Sequence, residues 1–155
     1  MPVDLTDAST GQVRIAEALA EALNVELVAL HVIEPVRNPL ADKLDLTRIQ
    51  SERRSRAVDA VMKLIAAVPP QLHTEALVVE GDPAEQIAAA AKDRAAGLIV
   101  IGLHGSPAGG PGMGSVTYRV VCLSPVLLLA VPPAPVGTSP PAPSMWTLAS
   151  TMRRD

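Results

Sequence analysis

The sequence predicts an α/β protein built on an open, mostly parallel sheet with helices on both faces. Short apolar segments alternate along the chain with segments of helical periodicity, which is the order of strand-helix-strand units. Three of the four apolar segments are nearly continuous, as expected for strands that helices cover on both faces. Hydrophobic residues make up 48% of the 155 residues and aromatic residues only 1%. The core is therefore expected to consist of Leu, Val, Ile and Ala.

The four apolar segments are predicted to be strands at residues 25–33, 72–80, 98–103 and 125–131. An alternating domain that opens with a helix should have a strand before it, yet only Met1, Pro2 and Val3 precede Asp4. Proline also removes a hydrogen-bond donor from a central strand. The first strand is therefore expected to be a truncated stub, unless the recorded start lies downstream of the true one.

Four helices are predicted around these strands. Apolar residues at three- and four-residue steps predict the first over Ser9–Leu23, and a longer apolar stripe predicts the second over residues 46–68. The fourth is predicted from Ser115 to about Leu123.

The third helix has the clearest predicted ends. Asp82 is expected to be its N-cap, with Pro83 at the first helical position and Glu85 completing a capping box. Gly97 is expected to stop the helix at its C-terminus.

Residues 1–131 are predicted to form one domain and residues 132–155 a flexible tail. The tail is rich in Pro, Ala, Ser and Thr, so it buries too little apolar surface to offset the entropy of ordering it. The formal charge of −3 argues against binding to nucleic acid or to an anionic membrane. The chain has no stretch of about 20 apolar residues and has a single cysteine, so it is predicted to be cytoplasmic. This cysteine, Cys122, is expected to be a small buried hydrophobic residue.

A glycine-rich segment, GLHGSPAGGPGMGS, follows the third apolar run and leads into the fourth helix. It holds six glycines and two prolines and carries no Lys, Arg, Asp or Glu. A flexible backbone that ends at a helix N-terminus predicts anion binding, although any long exposed loop can also collect Gly and Pro. A Walker A loop would need a lysine, and a dinucleotide fingerprint would need an acidic residue about twenty positions later, and neither is present.

Four stretches of the sequence, considered together, resemble the universal stress protein family. They are PVDLTDAS, LVALHVIEP, VEGDPAEQIAAAAKDRAAGLIVIGLHG and GSVTYRVVCLSPVLLLAV, which lie between Pro2 and Val131. The resemblance implies a five-stranded, parallel, Rossmann-like sheet of the adenine nucleotide α hydrolase type. It also implies a homodimer formed through the last strand, residues 126–131, which has Val126 and Val131 at its ends. Many members bind ATP, with Mg²⁺, through the pattern Gly-x2-Gly-x9-Gly-(Ser/Thr).

The resemblance also implies individual site residues. Asp4 and Val32 match the adenine side of the site. Ile101, Gly102 and Gly105 match the start of the phosphate loop, and Gly114, Ser115 and Val116 match its end. This chain departs from the family pattern in having eight residues, not nine, between Gly105 and Gly114, and in having no cation within that stretch.

Other polar residues leave alternatives open. Arg119, the nearest cation after the loop, is either a surface charge or a phosphate contact, and His104 is either a phosphate donor or a solvated loop residue. His31 is expected to be a hydrogen-bonded structural histidine. The three histidines and one cysteine have no metal-ligand spacing, so no metal site is predicted.

The sequence therefore predicts an ATP-binding stress-response or signalling protein that is non-catalytic or a very slow ATPase. The alternative is a family member that does not bind nucleotides and acts as a dimeric interaction module. A third hypothesis is an enzyme that acts on an acyl or phosphoryl substrate.

Overall fold

The architecture follows the alternating order of the sequence patterns. A computed structural model of the chain describes residues 1–6, 9–35, 46–103 and 113–132. Its elements are α1 (Ser9–Leu23), β1 (Leu27–Ile33), α2 (Leu46–Ile65), β2 (Thr74–Glu80), α3 (Pro83–Asp93), β3 (Leu98–Gly102), α4 (Ser115–Leu123) and β4 (Leu127–Val131). The predicted tail lies outside the described residues, except for Pro132.

The strands pair in parallel, which confirms the predicted α/β class. β1 pairs with β2, from Leu27 opposite Thr74 to Ile33 opposite Glu80. β3 pairs with β4, from Leu98 opposite Leu127 to Gly102 opposite Val131. Residues at the carboxyl ends of β1, β3 and β4 line one cavity, which is described below.

A short N-terminal segment adds to the edge of β1. Leu30 N donates to Met1 O at 2.8 Å and Val3 N donates to Leu30 O at 2.8 Å, so that Pro2 and Leu30 form a single parallel bridge. The Gln12 side chain donates both to Pro2 O and to Val100 O, and this amide links the N-terminal segment to β3. The first strand is thus the stub that the sequence predicts.

Helices cover both faces of these strands. One face packs against α1 and α2, and its buried residues include Ala16 and Ala20 of α1 and Val61 of α2. The opposite face packs against α3 and α4, through Ile87 and Val120. Alternate residues of β1 and β3 point to opposite sides, and the buried clusters are aliphatic throughout.

The α3 helix begins at Pro83 with Asp82 as its N-cap, as predicted, but it does not end at Gly97. Among the described residues the Glu85 side chain does not complete a capping box and instead lies 3.8 Å from Arg119 Nη2. Asp82 Oδ1 accepts from Ala84 N at 3.1 Å and from Glu85 N at 3.2 Å. After Asp93 the backbone closes in a Schellman motif: Ala95, at φ 48°, donates to Lys92 O, and Ala96 donates to Ala91 O. The prediction for Gly97 is therefore wrong, because an alanine takes the left-handed position two residues earlier.

The same motif explains why β1 starts later than predicted. Asn24 has φ 52° and donates to Glu21 O, while Val25 N donates to Ala20 O. This bond keeps the Val25 backbone with the end of α1, and the strand begins at Leu27.

Two further observations concern exposure and length. Cys122 is exposed on α4, so its predicted burial is wrong. None of the helices in the described ranges combines the length and the apolar character that crossing a membrane requires.

Candidate functional site

A cavity of about 440 Å³ opens at the carboxyl ends of β1 and β3. Its walls come from the N-terminal segment, both strand ends and the first turn of α4. The structure brings seven of the predicted site residues to this cavity: Asp4, Val32, Ile101, Gly102, Gly114, Ser115 and Val116. The eighth, Gly105, lies outside the described residues.

Asp4 forms one end of the cavity and organises the turn into α1. Its Oδ1 accepts from Thr6 N at 3.0 Å, from Thr6 Oγ1 at 2.8 Å and from Ser9 Oγ at 2.8 Å. These three bonds span Leu5, whose φ of 62° lies in the left-handed region. The bonds to Oδ1 therefore hold a strained turn at the edge of the cavity.

His31 lies on β1 beside Asp4 and Val32 and also lines the cavity. Its Nδ1 is 2.9 Å from Val3 O. A carbonyl oxygen only accepts, so Nδ1 is the donor in this contact. This contact confirms His31 as a hydrogen-bonded structural residue, and it also places the imidazole in the site wall.

The first turn of α4 forms the other end of the cavity. Gly114 is the N-cap and forms no side-chain capping bond. Gly114 N donates to Leu103 O at 2.9 Å, which closes the base of the glycine loop, and Thr117 Oγ1 donates to Gly102 O at 2.8 Å. These contacts fix the start of α4 against the end of β3.

This helix end supplies hydrogen-bond donors. The leading N–H groups of a helix have no partner within the helix, and the helix dipole adds a partial positive charge there. Ser115 also offers a hydroxyl. The end of the cavity formed by Gly114, Ser115 and Val116 is therefore suited to an anion.

Arg119 has a protein partner on α3. Its Nη1 donates to Asp82 Oδ2 at 2.6 Å, and its Nη2 lies 3.8 Å from Glu85 Oε1. The Arg119 guanidinium, together with the backbone N–H groups of Glu85 and Ala84, holds the pKa of Asp82 below its ordinary value. The structure thus pairs Arg119 with a carboxylate, and its contribution is to join α4 to α3.

Three polar residues that line the cavity were not singled out from the sequence. Glu34 follows β1, Thr117 lies on α4, and Gln12 lies on α1. Gln12 shares a helix face with Ala16 and Ala20, at steps of four residues. A polar residue on that apolar face was the sequence signal that could have identified Gln12. Glu34 and Thr117 gave no comparable signal.

The charged residues in the described wall of the cavity are Asp4 and Glu34, both acidic. Within residues 1–6, 9–35, 46–103 and 113–132, no group of three or more His, Cys, Asp or Glu side chains could hold a metal ion. A Mg²⁺ ion at this site would therefore need ligands from a bound phosphate as well as from protein carboxylates.

Comparisons with known proteins agree on one family. The model of the Universal stress protein family matches residues 1–132 of the chain. A Thermus aquaticus protein, the universal stress protein in QAH/OAS sulfhydrylase 3′ region, is 32% identical over 130 residues, which is 83% of this chain and 93% of that protein.

Solved structures agree with this match. The universal stress protein UspA from Lactobacillus plantarum has a TM-score of 0.69 and 25% identity, with 84% of this chain and 93% of that chain covered. The universal stress protein from Archaeoglobus fulgidus in complex with dAMP has a TM-score of 0.55 and 21% identity, with 83% and 92% covered.

Proposed function

The chain belongs to the universal stress protein family, and on this premise we propose that it binds ATP with Mg²⁺ in the cavity at the strand ends. It acts as a stress-response or signalling protein that senses the nucleotide rather than turning it over, or that hydrolyses it very slowly. It works in the cytoplasm as a homodimer.

The observation that carries this proposal is the polarity of one cavity. The carboxylate of Asp4, a hydrogen-bond acceptor, lies at one end beside His31, and the donors of the α4 N-terminus, which has no side-chain cap, lie at the other. A nucleotide has the matching polarity, because its base and sugar carry N–H and O–H donors and its phosphates carry acceptors. A volume of about 440 Å³ is within the usual range for small-molecule sites.

The residues present fit this ligand. The backbone N–H groups at the start of α4 and the Ser115 hydroxyl would donate to phosphate oxygens. Mg²⁺ would reduce the repulsion between the phosphates and the carboxylates of Asp4 and Glu34, which share the cavity wall. The related protein from Archaeoglobus fulgidus was solved with dAMP, which supports an adenine nucleotide as the ligand class.

Thermal unfolding with and without Mg-ATP tests the proposal, with Mg-GTP as the control. A ligand at about a hundredfold over Kd stabilises the native state by about 2.7 kcal/mol. For a domain of this size each kcal/mol raises Tm by roughly 2–4 °C. We expect ATP to raise Tm and GTP to leave it nearly unchanged. A folded protein whose Tm responds to neither nucleotide would contradict the proposal.

A pair of glycine variants locates the binding site. Gly114→Asp places a side chain and a negative charge at the start of α4, so we expect it to abolish the ATP-dependent rise in Tm. Gly97→Asp is the matched control, because a Cβ at Gly97 has no other atom within 4 Å and Gly97 lies outside the cavity. ATP binding that persists in Gly114→Asp would show that this helix end is not the phosphate site.

A second candidate function is a dimeric interaction module that does not bind nucleotides. It is favoured by the exposure of Leu127 and Leu129 on β4, which leaves an apolar strand edge available to another chain. Under this alternative the protein associates but shows no ATP-dependent change in Tm. The nucleotide titration therefore separates the two candidates.

A further inference from the structure

Gln12 is a buried polar residue in the wall of the cavity, with 5% of its surface exposed. Its Nε2 donates to Pro2 O at 2.6 Å and to Val100 O at 2.9 Å. Both partners are carbonyl oxygens that only accept, so the two hydrogens of the carboxamide are committed and its orientation is fixed.

The remaining polar atom of this side chain is Oε1. Within the described ranges Oε1 has no hydrogen-bond donor, although the side chain is more than nine-tenths buried. A buried acceptor without a partner lowers stability, and a ligand donor that reaches it recovers that free energy. The fixed amide therefore leaves one unsatisfied acceptor on a side chain that lines the cavity.

We propose that Gln12 determines ligand specificity at this site. Its Oε1 accepts a hydrogen bond from an N–H or O–H group of the bound nucleotide, either the amino group of the base or a hydroxyl of the sugar. This inference rests on the proposed nucleotide binding. It assigns Gln12 direct contact with the ligand, in addition to its contacts with Pro2 and Val100.

The two roles of Gln12 predict different results. If Gln12 only links the N-terminal segment to β3, its replacement weakens the cavity wall and lowers affinity for every nucleotide by the same factor. If Oε1 contacts the ligand, replacement removes the discrimination between a ligand that carries the donor and one that lacks it. The ratio of two affinities therefore distinguishes contact from support.

The experiment measures Kd by calorimetry for four ligands with Mg²⁺ on the full chain. They are ATP, the purine riboside triphosphate that lacks the 6-amino group, 2′-deoxy-ATP and 3′-deoxy-ATP. In the wild type we expect one analogue to bind about tenfold more weakly than ATP, because it leaves Oε1 without a partner. The analogue that is affected identifies the donor.

The same titrations on Gln12→Met complete the test. Met keeps the approximate length of the side chain without hydrogen-bonding groups, so we expect the difference between ATP and that analogue to shrink to within about twofold. A difference that persists in Gln12→Met would overturn the proposal. Gln12→Leu is the second variant if the Met side chain disturbs packing.

The wild-type series also tests the proposal without any variant. If all three analogues bind as tightly as ATP, no group of theirs donates to Oε1 and the assignment of Gln12 is wrong while nucleotide binding stands. If none of the four ligands binds, the proposed function itself fails and the assignment fails with it. These two outcomes are distinct.

Discussion

Asp4 holds the turn into α1 and also lines the cavity of the proposed site. Its Oδ1 is taken up by Thr6 and Ser9, which hold the left-handed backbone of Leu5. Ser9 is 2% exposed, so its hydroxyl depends on a protein acceptor. The second oxygen of Asp4 has no bond to a described residue, and Asp4 lines the cavity.

Replacing Asp4 by alanine is expected to lower stability as well as binding. Asp4→Ala leaves the buried Ser9 hydroxyl without its acceptor, which should cost roughly 1–3 kcal/mol. Urea unfolding measures this loss. Asp4→Asn keeps an oxygen acceptor for the same donors and should recover most of the stability. If Asp4→Ala and the wild type unfold at the same urea concentration, the turn does not depend on this carboxylate.

His31 and Gln12 differ in whether their roles could be predicted from the sequence. His31 was predicted as a structural histidine, because it lies within an apolar strand. Gln12 was not predicted, although it lies in the same helix row as Ala16 and Ala20. Its partner Val100 is 88 residues away, and no local pattern reports such a contact. Local signals identify polar residues that a fold has to satisfy, but the partners depend on how distant elements pack.

The helices differ in how well their ends could be predicted. The ends of α4 agree with the prediction, because a glycine loop precedes it and a strand signal follows it. The α3 N-cap at Asp82 was also predicted, since one side chain accounts for it. The C-terminal ends of α1 and α3 use Asn24 and Ala95 in the left-handed region, and neither is the glycine that a sequence rule expects.

Arg119 of α4 joins the two helices on the α3 side of the sheet through its ion pairs with Asp82 and Glu85. Asp82 caps α3 through Oδ1 and receives Arg119 of α4 on Oδ2. α4 also carries the end of the cavity that is proposed to bind phosphate, so this pair helps to fix the position of the donors at Ser115 and Val116. Asp82 therefore both caps α3 and helps to hold the α4 N-terminus in its place at the proposed site.

The pairing predicts a pH dependence of stability. The pKa of Asp82 is held below its ordinary value of 3.8, first by the hydrogen bond from Arg119 and then by the backbone of Glu85. The unfolded carboxyl thus binds a proton more readily than the native one. The stabilisation is present above the unfolded pKa and is lost as the pH falls through the lower native pKa.

We therefore expect Arg119→Gln to flatten the acid side of the stability profile. Between about pH 6 and about pH 3 the wild type should lose more unfolding free energy than Arg119→Gln does. Urea midpoints at a series of pH values measure the difference. Arg54→Gln, the same change at an exposed arginine of α2, is the control and should follow the wild type. Parallel profiles for the wild type and Arg119→Gln would contradict the role of this pair.

The cavity exists because the two parallel strand pairs meet at one edge of the fold. Asp4 and His31 belong to the side of β1, and Gly102 and Gly114 belong to the side of β3. The stub at Met1–Val3 pairs with β1, and Gln12 reaches across to Val100. Residues far apart in sequence could be assigned to one site because the chain resembles the universal stress protein family, and parallel strands place their carboxyl ends at the same edge. The volume of the cavity and the acidic character of its wall could not be predicted from the sequence, because they depend on how distant elements pack.

The β4 strand leaves an apolar surface exposed. Leu127 is 75% exposed and Leu129 is 38% exposed, and in the described part of the chain the partner of β4 is β3. The neighbouring helix α4 adds exposed side chains of Tyr118, Val121 and Leu123. A strand edge flanked by apolar side chains fits a second copy of the same edge, because a twofold axis brings identical edges together.

We therefore predict a homodimer in solution that depends on β4. Lysines at Leu127 and Leu129 should convert it to a monomer at micromolar concentration, because two charges would be buried in each half of the interface. Light scattering coupled to size exclusion measures the mass. The matched control is Leu23→Lys with Val25→Lys, at side chains that are 59% and 51% exposed on another surface, and it should leave the dimer intact. A wild type that is monomeric at these concentrations would contradict the assignment. Equal dissociation in both double variants would show that added charge, and not the β4 edge, separates the chains.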